Sequence, residues 1–435
     1  MAKRSHHGTI EVRRSVPLEI SMSTHPTPSS TAPTIWRLIS VGSVVVACGG
    51  TGKDSASGPA EPHLQDDLVQ VVPGDGLPAS VVVQPSANNL DIVEHDGAWF
   101  FAFRTAPNHF ASAETELHVL RSTDRETWSH ETTLFLATDL REPRFLSSGD
   151  TLQLYFAKLG TSSTSFEPGG ALVTTRSPDG TWSEPADLFD AGDTFIPWRT
   201  RWVGDRAMMT GYRSGSEVYE FDGLPSIEVY WLGSTDGSTW HDWTAGSGPV
   251  LVGGGSETDL AFTNDGAAIA VVRNEAGDEV GWGSKICRAE ADALDRWTCT
   301  HDPRKYDSPL VFAHGGRIWL IGRRNLTETG AYDLEMRDLD HAAQSLTYQA
   351  AYWNEPKRCS LWEVDAQALT VSHVLDLPSR GDTCFASILP LGGDRFEVWN
   401  YSSPVDGPDV SWVEGQTGET FIYKQTLVIP SEGVP

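Results

Sequence analysis

The sequence predicts an all-β fold, a six-bladed β-propeller that follows an N-terminal signal and a flexible tether. A short signature, Ser-x-Asp followed within a few residues by Thr-Trp, occurs three times. Its aspartates, Asp124, Asp179 and Asp236, lie 55 and 57 residues apart, a period that suits a four-stranded blade and is too long for the common helical solenoids. From about residue 68 onwards, short runs rich in Val, Ile, Phe, Tyr and Trp alternate with Gly and Asp turns, without a long amphipathic helical pattern.

Six inner hairpins follow one another along the chain, each with glycine in the turn at its tip. They span residues 88–104, 140–158, 195–213, 257–273, 308–324 and 382–401. At about 60 residues per blade, the tethered domain holds six blades, with five as the alternative. We expect either the region 68–84 or the last strand, residues 420–429, to close the ring.

The N-terminal residues have the pattern of a secretory signal. Basic residues precede an apolar run at 38–47 that is too short to span a bilayer as a mature helix. The sequence Val45-Val46-Ala47-Cys48 resembles a bacterial lipobox, in which the cysteine is lipidated. We therefore expect a lipoprotein signal peptide over 1–47, a lipidated flexible tether over 48–65 and the propeller domain over 66–435. A plain cleaved signal is the alternative, and Met22 is a second candidate start.

Four cysteines remain after Cys48, an even number in a compartment that permits disulfides. Three pairings are open, of which we favour Cys287–Cys299 across one hairpin turn together with Cys359–Cys384 between the last blades. A metal site is the less favoured interpretation, because no C-x-x-C or paired histidine spacing accompanies these residues. We expect neither a metal nor a cofactor.

The chain is strongly acidic, with 32 Lys and Arg against 59 Asp and Glu and a formal net charge of −27. Five of these basic residues and two of the acidic ones precede Cys48, so the remainder carries a net charge of −30. Such a surface repels nucleic acid and anionic membrane, and it also serves solubility. We expect a monomer that binds no nucleic acid and is anchored by lipid to the bacterial cell envelope, at the outer membrane or cell surface.

The hairpin frame predicts one functional face of the ring. In an antiparallel hairpin, the start of the first strand and the end of the second lie at the same end. The six hairpins therefore gather carboxylates, guanidinium groups and aromatic rings on one rim. The candidate catalytic residues are Glu142, Glu257 and Asp382, and the candidate substrate-binding residues are Arg104, Arg199, Arg273, Arg324, Trp198 and Tyr401.

This set of side chains suits an acidic or sulfated glycan as the partner. Arginine binds a carboxylate or sulfate through two parallel hydrogen bonds, and an aromatic ring stacks on a sugar face. Two carboxylates suit cleavage of a glycosidic bond, because one protonates the leaving oxygen while the other activates water or attacks. The same residues also have a structural interpretation, since Arg–carboxylate pairs neutralise charge buried around a propeller axis.

The three repeated signatures resemble the Asp-box of sialidases and related BNR-repeat propellers, including secreted bacterial proteins of that group. Ser-Glu-Thr-Asp at 256–259 with Val-Val-Arg-Asn at 271–274 is similar to the sialidase blade that carries a catalytic Glu and one arginine of the carboxylate-binding triad. The resemblance implies Glu257 as an acid/base partner and Arg273 as a substrate clamp. It also implies that the Asp-boxes lie on the face away from the substrate.

The departures from the sialidase pattern shape the functional prediction. Phe385 occupies the place of the nucleophilic tyrosine, and only Tyr401 on the neighbouring strand offers a substitute. The family's first triad arginine is replaced around residues 88–90, and its loop acid has only His109, Glu114 and Glu116 as substitutes. We therefore predict a surface glycoside hydrolase of sialidase-like fold rather than a sialidase. The alternatives are a non-catalytic glycan-binding propeller, which Phe385 favours, and a protein-interaction scaffold, which the acidic surface favours.

Overall fold

Six antiparallel sheets form the blades of a β-propeller in the computed structural model, which describes residues 61–214 and 223–431. The predicted six-bladed, all-β fold is confirmed, and the five-bladed alternative is excluded. Within the described residues there are two helices, α1 (His341–Asn354) and α2 (Trp412–Thr417). The predicted signal peptide (1–47), the lipidation site Cys48 and most of the predicted tether lie outside the described residues.

The strands run in chain order around the ring, apart from the first, β1 (His63–Val72), which belongs to the last blade. Blade 1 contains β2 (Ser86–His95), β3 (Ala98–Ala106), β4 (Glu116–Ser122) and β5 (Ser129–Leu134). Blade 2 contains β6 (Asp139–Ser148), β7 (Thr151–Leu159), β8 (Pro168–Arg176) and β9 (Ala186–Asp187). Blade 3 contains β10 (Ile196–Val203), β11 (Arg206–Arg213), β12 (Ile227–Ser234), β13 (His241–Asp242) and β14 (Leu251–Gly253).

The second half of the ring repeats this arrangement. Blade 4 contains β15 (Thr258–Phe262), β16 (Ala268–Asn274), β17 (Gly283–Ala289) and β18 (Trp297–Asp302). Blade 5 contains β19 (Leu310–His314), β20 (Arg317–Asn325), β21 (Lys357–Asp365) and β22 (Thr370–Leu377). Blade 6 contains β23 (Ser387–Gly392), β24 (Arg395–Ser402) and β25 (Phe421–Val428), with β1 as its outer strand.

The inner two strands of every blade correspond to a hairpin predicted from the sequence. In blade 1, Asn88 pairs with Arg104, and the turn at the other end is Asp96-Gly97. Both turn residues have positive φ, 48° and 68°, which is the geometry of a type I′ turn and explains the Asp-Gly sequence there. The first strands of the blades lie innermost, so the starts of these strands surround the centre of the ring.

The ring closes through its two chain ends. Strand β1 pairs antiparallel with β25, with Leu64 opposite Leu427 and Val72 opposite Ile422. Both of the regions proposed to close the ring therefore take part, and β1 begins at His63 rather than near residue 68. Because the last blade contains strands from both ends of the domain, the pairing of β1 with β25 closes the ring.

The repeated Ser-x-Asp signature forms the turn between the third and fourth strands of a blade. The Asp124 carboxylate accepts hydrogen bonds from the Glu126 and Thr127 backbone N–H groups, each at 2.8 Å, and these bonds lower its pKa to about 2. The Asp236 turn repeats this pattern, with Asp236 accepting from two backbone N–H groups. Trp128, which follows the first turn, is buried with its ring centroid 5.9 Å from that of Trp399 in blade 6. The tryptophan that follows the first turn thus packs blade 1 against blade 6.

Both predicted disulfides are confirmed. Cys287 on β17 is bonded to Cys299, its register partner on β18, and Cys359 on β21 is bonded to Cys384 just before β23. The second bond links blade 5 to blade 6. Two disulfides indicate a protein that is not cytoplasmic. No helix in the described ranges 61–214 and 223–431 is long and apolar enough to cross a membrane.

Candidate functional site

The rim predicted as functional is lined by β-bulges in three consecutive blades. In β6, Glu142 and Pro143 together oppose one residue of β7, because Pro143 has no N–H to donate to the ladder. Asn89 in β2 and Trp198 in β10 are the extra residues of equivalent register shifts. Glu142 and Asn89 have positive φ, 55° and 45°. Bulges redirect side chains and are frequent beside active sites, so these positions define the inner edge of the candidate site.

Two helices and one loop cover this rim. The connection between β20 and β21 carries α1, the connection between β24 and β25 carries α2, and the segment after β3 forms a loop at 107–115. Each contributes a side chain that reaches an aspartate of the rim. Tyr352 of α1 donates to Asp307 at 2.9 Å, and Trp412 of α2 donates to Asp382 at 3.0 Å. These covering elements were not predicted from the sequence.

Asp382 is buried and holds three partners. Its Oδ1 accepts from the Tyr401 hydroxyl and from the Trp412 indole N–H, both at 3.0 Å, and its Oδ2 lies 2.6 Å from His109 Nδ1. Burial alone would raise the pKa of Asp382, but its contacts with His109, Arg323 and Tyr401 outweigh that effect and the pKa is lowered. Asp382 is therefore an ionised anchor that orients its neighbours, and its side chain has no exposed surface.

His109 is the neighbour that reaches the open side. Its Nδ1 faces the Asp382 carboxylate, which can only accept, so Nδ1 carries the hydrogen and Nε2 is the acceptor, which faces Arg141. Burial lowers its pKa, so the imidazole is neutral at pH 7, and Arg141 Nη1 lies 3.4 Å from Nε2. His109 contacts Asp382 and keeps 15% of its side chain exposed.

Arg104 and Arg141 share Asp139 below this pair. Arg104 Nε donates to Asp139 Oδ1 at 2.8 Å, and Arg141 Nε donates to the other carboxylate oxygen. Arg104 is completely buried, so its guanidinium has no surface to offer a ligand. Arg141 is partly exposed and also donates to the His109 backbone carbonyl. Within this pair, the unpredicted Arg141 is the arginine at the surface.

Glu257 and Arg273 form the opposite side of the site. Glu257 Oε1 lies 3.0 Å from Arg273 Nη1, and Oε2 accepts from the Ser308 backbone N–H at 2.8 Å. Arg273 Nη1 also lies 3.1 Å from Glu275 Oε2, while its Nε donates to the Ser256 hydroxyl at 3.0 Å. Both Glu257 and Arg273 keep about a tenth of their side chains exposed, 11% and 10%. The predicted Glu–Arg pair is thus present as a contact at the rim.

A chain of buried charges supports this pair from below. Glu275 accepts from Lys305 at 2.8 Å and from Gln349 of α1 at 2.7 Å. Asp307 accepts from Arg323 at 2.7 Å, in addition to its bond from Tyr352. Together these contacts fix α1 to blades 4 and 5.

Glu142 differs from Glu257 and Asp382 because, within the described residues, no ion pair holds its carboxyl group. Its Oε2 is buried and has no hydrogen-bond partner among the described residues. Burial, with the negative charge of Glu257 as the second cause, raises the pKa of Glu142 to about 7. Burial also raises the pKa of Glu257, but Arg273 and the Ser308 N–H favour its ionised form. The rim therefore holds two interacting carboxyl groups in unlike environments.

Trp198 and Arg199 lie inside the ring rather than at its open surface. Trp198 is 1% exposed and donates its indole N–H to the Pro309 carbonyl at 3.1 Å. Arg199 donates to the backbone carbonyls of Pro309 and Ala386, at 3.1 and 3.0 Å. Phe385 packs here too, with its ring 4.2 Å from the Arg144 guanidinium carbon. Because tryptophan and arginine fill the ring centre, the sequence-predicted roles in sugar stacking and clamping have no open surface at these positions.

Arg324 is not brought into the cluster. It makes a two-point contact with Asp376 on β22, at 2.9 and 2.6 Å, whereas the neighbouring Arg323 points inward to Asp307. Consecutive residues of a strand face opposite sides, so only one of the two arginines can face the centre. The alternation of β20 was the available sequence signal for choosing Arg323.

Comparisons with known proteins place this geometry in a class of fold. The β-propeller fold of this chain is similar to that of solved structures that include sialidases. A Dyadobacter fermentans protein of unknown function matches with a TM-score of 0.53 and 17% identity over 80% of this chain and 97% of that chain. A Trypanosoma rangeli sialidase mutant displaying trans-sialidase activity matches with a TM-score of 0.51 and 13% identity, covering 85% of this chain and 57% of its own.

The unmodified Trypanosoma rangeli sialidase gives a TM-score of 0.50 with 16% identity over 85% of this chain and 59% of its own. This chain therefore spans little more than half the length of these sialidases. Identities this low show a shared fold and nothing finer. No protein-family model matches the chain, and the comparison with curated proteins gave no match.

Proposed function

We propose that this protein is a glycoside hydrolase of sialidase-like fold that cleaves a glycan carrying carboxylate or sulfate groups. The observation that carries the proposal is the pair Glu142 and Glu257, two carboxyl groups at one rim whose environments differ. Glu142 has a pKa raised to about 7 and an unpartnered oxygen, whereas Glu257 contacts Arg273. Burial raises the pKa of both groups, but among the described residues only Glu257 has an arginine beside its carboxylate. Two carboxyl groups in unlike environments are the usual acid and base of glycoside cleavage.

Glu142 is the proton donor in this proposal. A carboxyl group with a pKa of about 7 is protonated in about half of the molecules at neutral pH and can release its proton to the leaving oxygen. Glu257 is the ionised partner, which attacks the anomeric carbon or activates water. Its contacts with Arg273 and the Ser308 N–H stabilise the carboxylate in this role.

Asp382 and His109 have a supporting role. Asp382 has no exposed side-chain surface and fixes the tautomer of His109, so we assign it to positioning rather than to proton transfer. His109 Nε2 accepts a hydrogen bond from Arg141 and so helps to orient that guanidinium at the rim. The exposed parts of Arg141 and Arg273 can bind an anionic group of the glycan.

Sialic acid release is not part of the proposal. The ring of Phe385 has no hydroxyl and is buried between arginines. Tyr401 is also buried, its hydroxyl is donated to Asp382, and burial raises its pKa well above the ordinary value. Neither residue offers an accessible tyrosine nucleophile.

The second candidate is a glycan-binding propeller without catalysis. Phe385 favours it, because the residue places an inert ring where a sialidase has its nucleophile. The rim arginines favour it as well, since each is already held by a carboxylate or a carbonyl.

A hydrolysis screen separates these candidates. Sialylated, uronic-acid and sulfated glycans are incubated with the wild type, Glu142→Gln and Glu257→Gln, with the exposed Glu184→Gln as a matched control. The proposal predicts new reducing ends from a uronic-acid or sulfated glycan, with a rate that falls above about pH 7 as Glu142 ionises. Binding without cleavage supports the second candidate, and neither binding nor cleavage supports a protein-interaction scaffold.

We also propose that the protein is a lipoprotein of the bacterial cell envelope, anchored through Cys48. The lipobox-like sequence at 45–48 and the Gly-, Ser- and Pro-containing segment after it support this. The two disulfides agree with a compartment outside the cytoplasm.

A further inference from the structure

A cavity of about 200 Å³ opens beside the central cluster on blade 5. Its lining includes Arg304, Tyr306, Arg324, Thr327, Trp362 and His373. Arg324 lies at the end of β20, and the segment 327–330 follows that strand, so the cavity opens on the same rim as Glu142 and Glu257. Lys305 and Arg323 line it as well, and both also belong to the buried charge chain of the central site.

Arg324 is held in the cavity wall by a fixed hydrogen-bond set. Asp376 accepts from Arg324 at 2.9 and 2.6 Å, from His373 Nε2 at 2.9 Å and from the Ser360 hydroxyl at 2.7 Å. Arg324 Nη1 has no hydrogen-bond partner in the described part of the chain. Asp376 therefore fixes the orientation of the guanidinium through Nε and Nη2, and Nη1 remains as a donor for a ligand.

Arg304 is held in the same way on the facing side. It contacts Asp302 through Nε and Nη2 at 2.9 and 2.7 Å, and its guanidinium carbon lies 5.4 and 5.6 Å from the ring centroids of Tyr306 and Trp362. Its Nη1 likewise has no hydrogen-bond partner within residues 61–214 and 223–431. The cavity is thus lined by two oriented donors above an aromatic floor.

The charges of this cavity cancel. Asp302 and Asp376 each neutralise one arginine, and Glu328 in the lining adds an exposed negative charge. A free anion therefore gains little binding energy in this cavity. A neutral, hydroxyl-rich ring gains the most binding energy, because it can use the arginine donors, the Glu328 carboxylate and the Thr327 hydroxyl together. The volume is below the roughly 300 Å³ of the smallest drug-sized sites, so it suits one sugar ring.

We propose that this cavity is a second sugar-binding subsite, which takes an uncharged sugar unit of the same glycan whose acidic unit binds at the central rim. The proposal rests on the proposed function for the identity of that glycan. It implies that the substrate is an oligomer or polymer with both kinds of unit, rather than a single terminal sugar.

The test compares two arginines of one strand. Arg324→Ala and His373→Ala change the cavity, and Arg317→Ala is the matched control, because Arg317 on β20 also contacts a carboxylate, Glu363 Oε1 at 2.6 Å. Side-chain exposure is similar, 28% for Arg324 and 30% for Arg317. Affinity electrophoresis in gels containing xylan, arabinan, dextran, hyaluronan or chondroitin sulfate measures binding without requiring turnover.

We expect at least one of these polysaccharides to retard the wild type. Arg324→Ala and His373→Ala should each weaken that retardation at least fivefold, while Arg317→Ala leaves it unchanged. Inorganic sulfate should not compete at this subsite, and 0.5 M NaCl should leave the difference between Arg324→Ala and wild type in place, since a neutral ligand is not screened. Glu257→Gln should still bind, which keeps this test independent of hydrolysis.

Two outcomes overturn the subsite. One is equal retardation of the wild type, Arg324→Ala and His373→Ala by every retarding polysaccharide, and the other is no retardation of the wild type at all. Thermal melting of each variant checks folding. If Arg324→Ala melts early, the decision passes to His373→Ala, whose side chain is the more exposed. A protein that binds through Arg324 but cleaves nothing keeps the subsite and rejects the proposed hydrolase.

Discussion

His109 in blade 1 and Asp382 before blade 6 lie 273 residues apart in sequence, yet His109 Nδ1 is 2.6 Å from Asp382 Oδ2. The contact crosses the seam where the ring closes, because blade 6 is the blade that contains both chain ends. It is also the point where the two halves of the candidate site meet: Arg141 contacts His109 on one side, and Arg323 acts on Asp382 from the other.

Glu142→Gln should stabilise the folded protein at high pH. The folded-state pKa of Glu142 is raised from 4.5 to about 7, so its stabilising contribution is complete below pH 4.5 and is lost as the pH rises through 7. Glutamine resembles the protonated form and avoids that loss. We expect the free energy of unfolding to rise by about 1 to 2 kcal/mol at pH 8 and not at all at pH 4. This is less than the ~3 kcal/mol that corresponds to the full pKa shift of a completely buried group. Urea unfolding of the wild type and Glu142→Gln at the two pH values measures this change in stability. An equal change at both pH values would contradict the raised pKa of Glu142.

Glu257→Gln should act on turnover, and Asp236→Ala on stability. Proton transfer or nucleophilic assistance by a positioned carboxylate is worth about 10²–10⁴-fold in rate, so Glu257→Gln should lose turnover by that order with its melting temperature little changed. Asp236 accepts two backbone N–H bonds in a blade turn, so Asp236→Ala should lower the melting temperature and keep turnover per folded molecule. Full activity of Glu257→Gln on a glycan that the wild type cleaves would contradict the proposed catalytic role of this rim.

Asp382→Asn should change the tautomer of His109. An amide can donate to Nδ1, which favours hydrogen on Nε2 and removes the acceptor from the open side. We expect turnover to fall at least tenfold, and nitrogen NMR of the imidazole to show the exchange of protonated nitrogens. Tyr401→Phe is the control, because it removes one hydrogen bond to Asp382 at a cost of about 1 kcal/mol and leaves His109 in place. An unchanged His109 spectrum in Asp382→Asn would show that Asp382 does not set the tautomer of His109.

The two disulfides should differ in their effect on function. Removing either pair by Cys→Ser substitution should lower the free energy of unfolding by about 2–4 kcal/mol. Cys384 lies two residues from Asp382, and Arg323 donates to the intervening Thr383 carbonyl at 2.6 Å. Loss of Cys359–Cys384 should therefore lower turnover per folded molecule as well, whereas loss of Cys287–Cys299 should not. Equal turnover in the two double variants would show that the rim does not depend on the nearer bond.

Cys48→Ser should release the protein from membranes. The prediction follows from the apolar run that ends at residue 47, and fractionation of cells after a high-salt wash measures it. A variant that still partitions with the membrane would show that another element anchors the chain.

The sequence predicted the hairpins well because each has local signals at both ends. The apolar runs and the turns such as Asp96-Gly97 are set by neighbours in sequence, and the structure places them as expected. Helix α1 was missed because its buried face is polar and aromatic, with Ser345, Tyr348, Gln349 and Tyr352 turned to the rim. Its apolar pattern is consequently weak, and the residues it approaches belong to other blades.

The candidate site was predicted only in part. The residues that were missed depend on which face of a strand each side chain occupies and on contacts between distant parts of the sequence. Glu142, Glu257 and Arg273 were chosen by their place at hairpin ends, and they do lie at the rim. Arg324 was chosen as a substrate-binding residue, but Arg323 is the one that faces the central cluster. Side chains alternate between the two faces of a strand, so only one of the two neighbours can do so. The contact between His109 and Asp382 joins the first and last blades, and no local pattern encodes a distance of that kind.

Blade 6 is built from β1 at one chain end and β23 to β25 at the other, and the segment leading into it carries Asp382. During synthesis, Glu142 and Glu257 are made long before β25 exists, so the early chain has both carboxyl groups but no completed rim. A protein clipped after α2 keeps the catalytic candidates and loses the strand that locks the seam. The proposed site is therefore complete only once β25 has been made, and a population clipped before β25 should lack the proposed activity even where most blades remain folded.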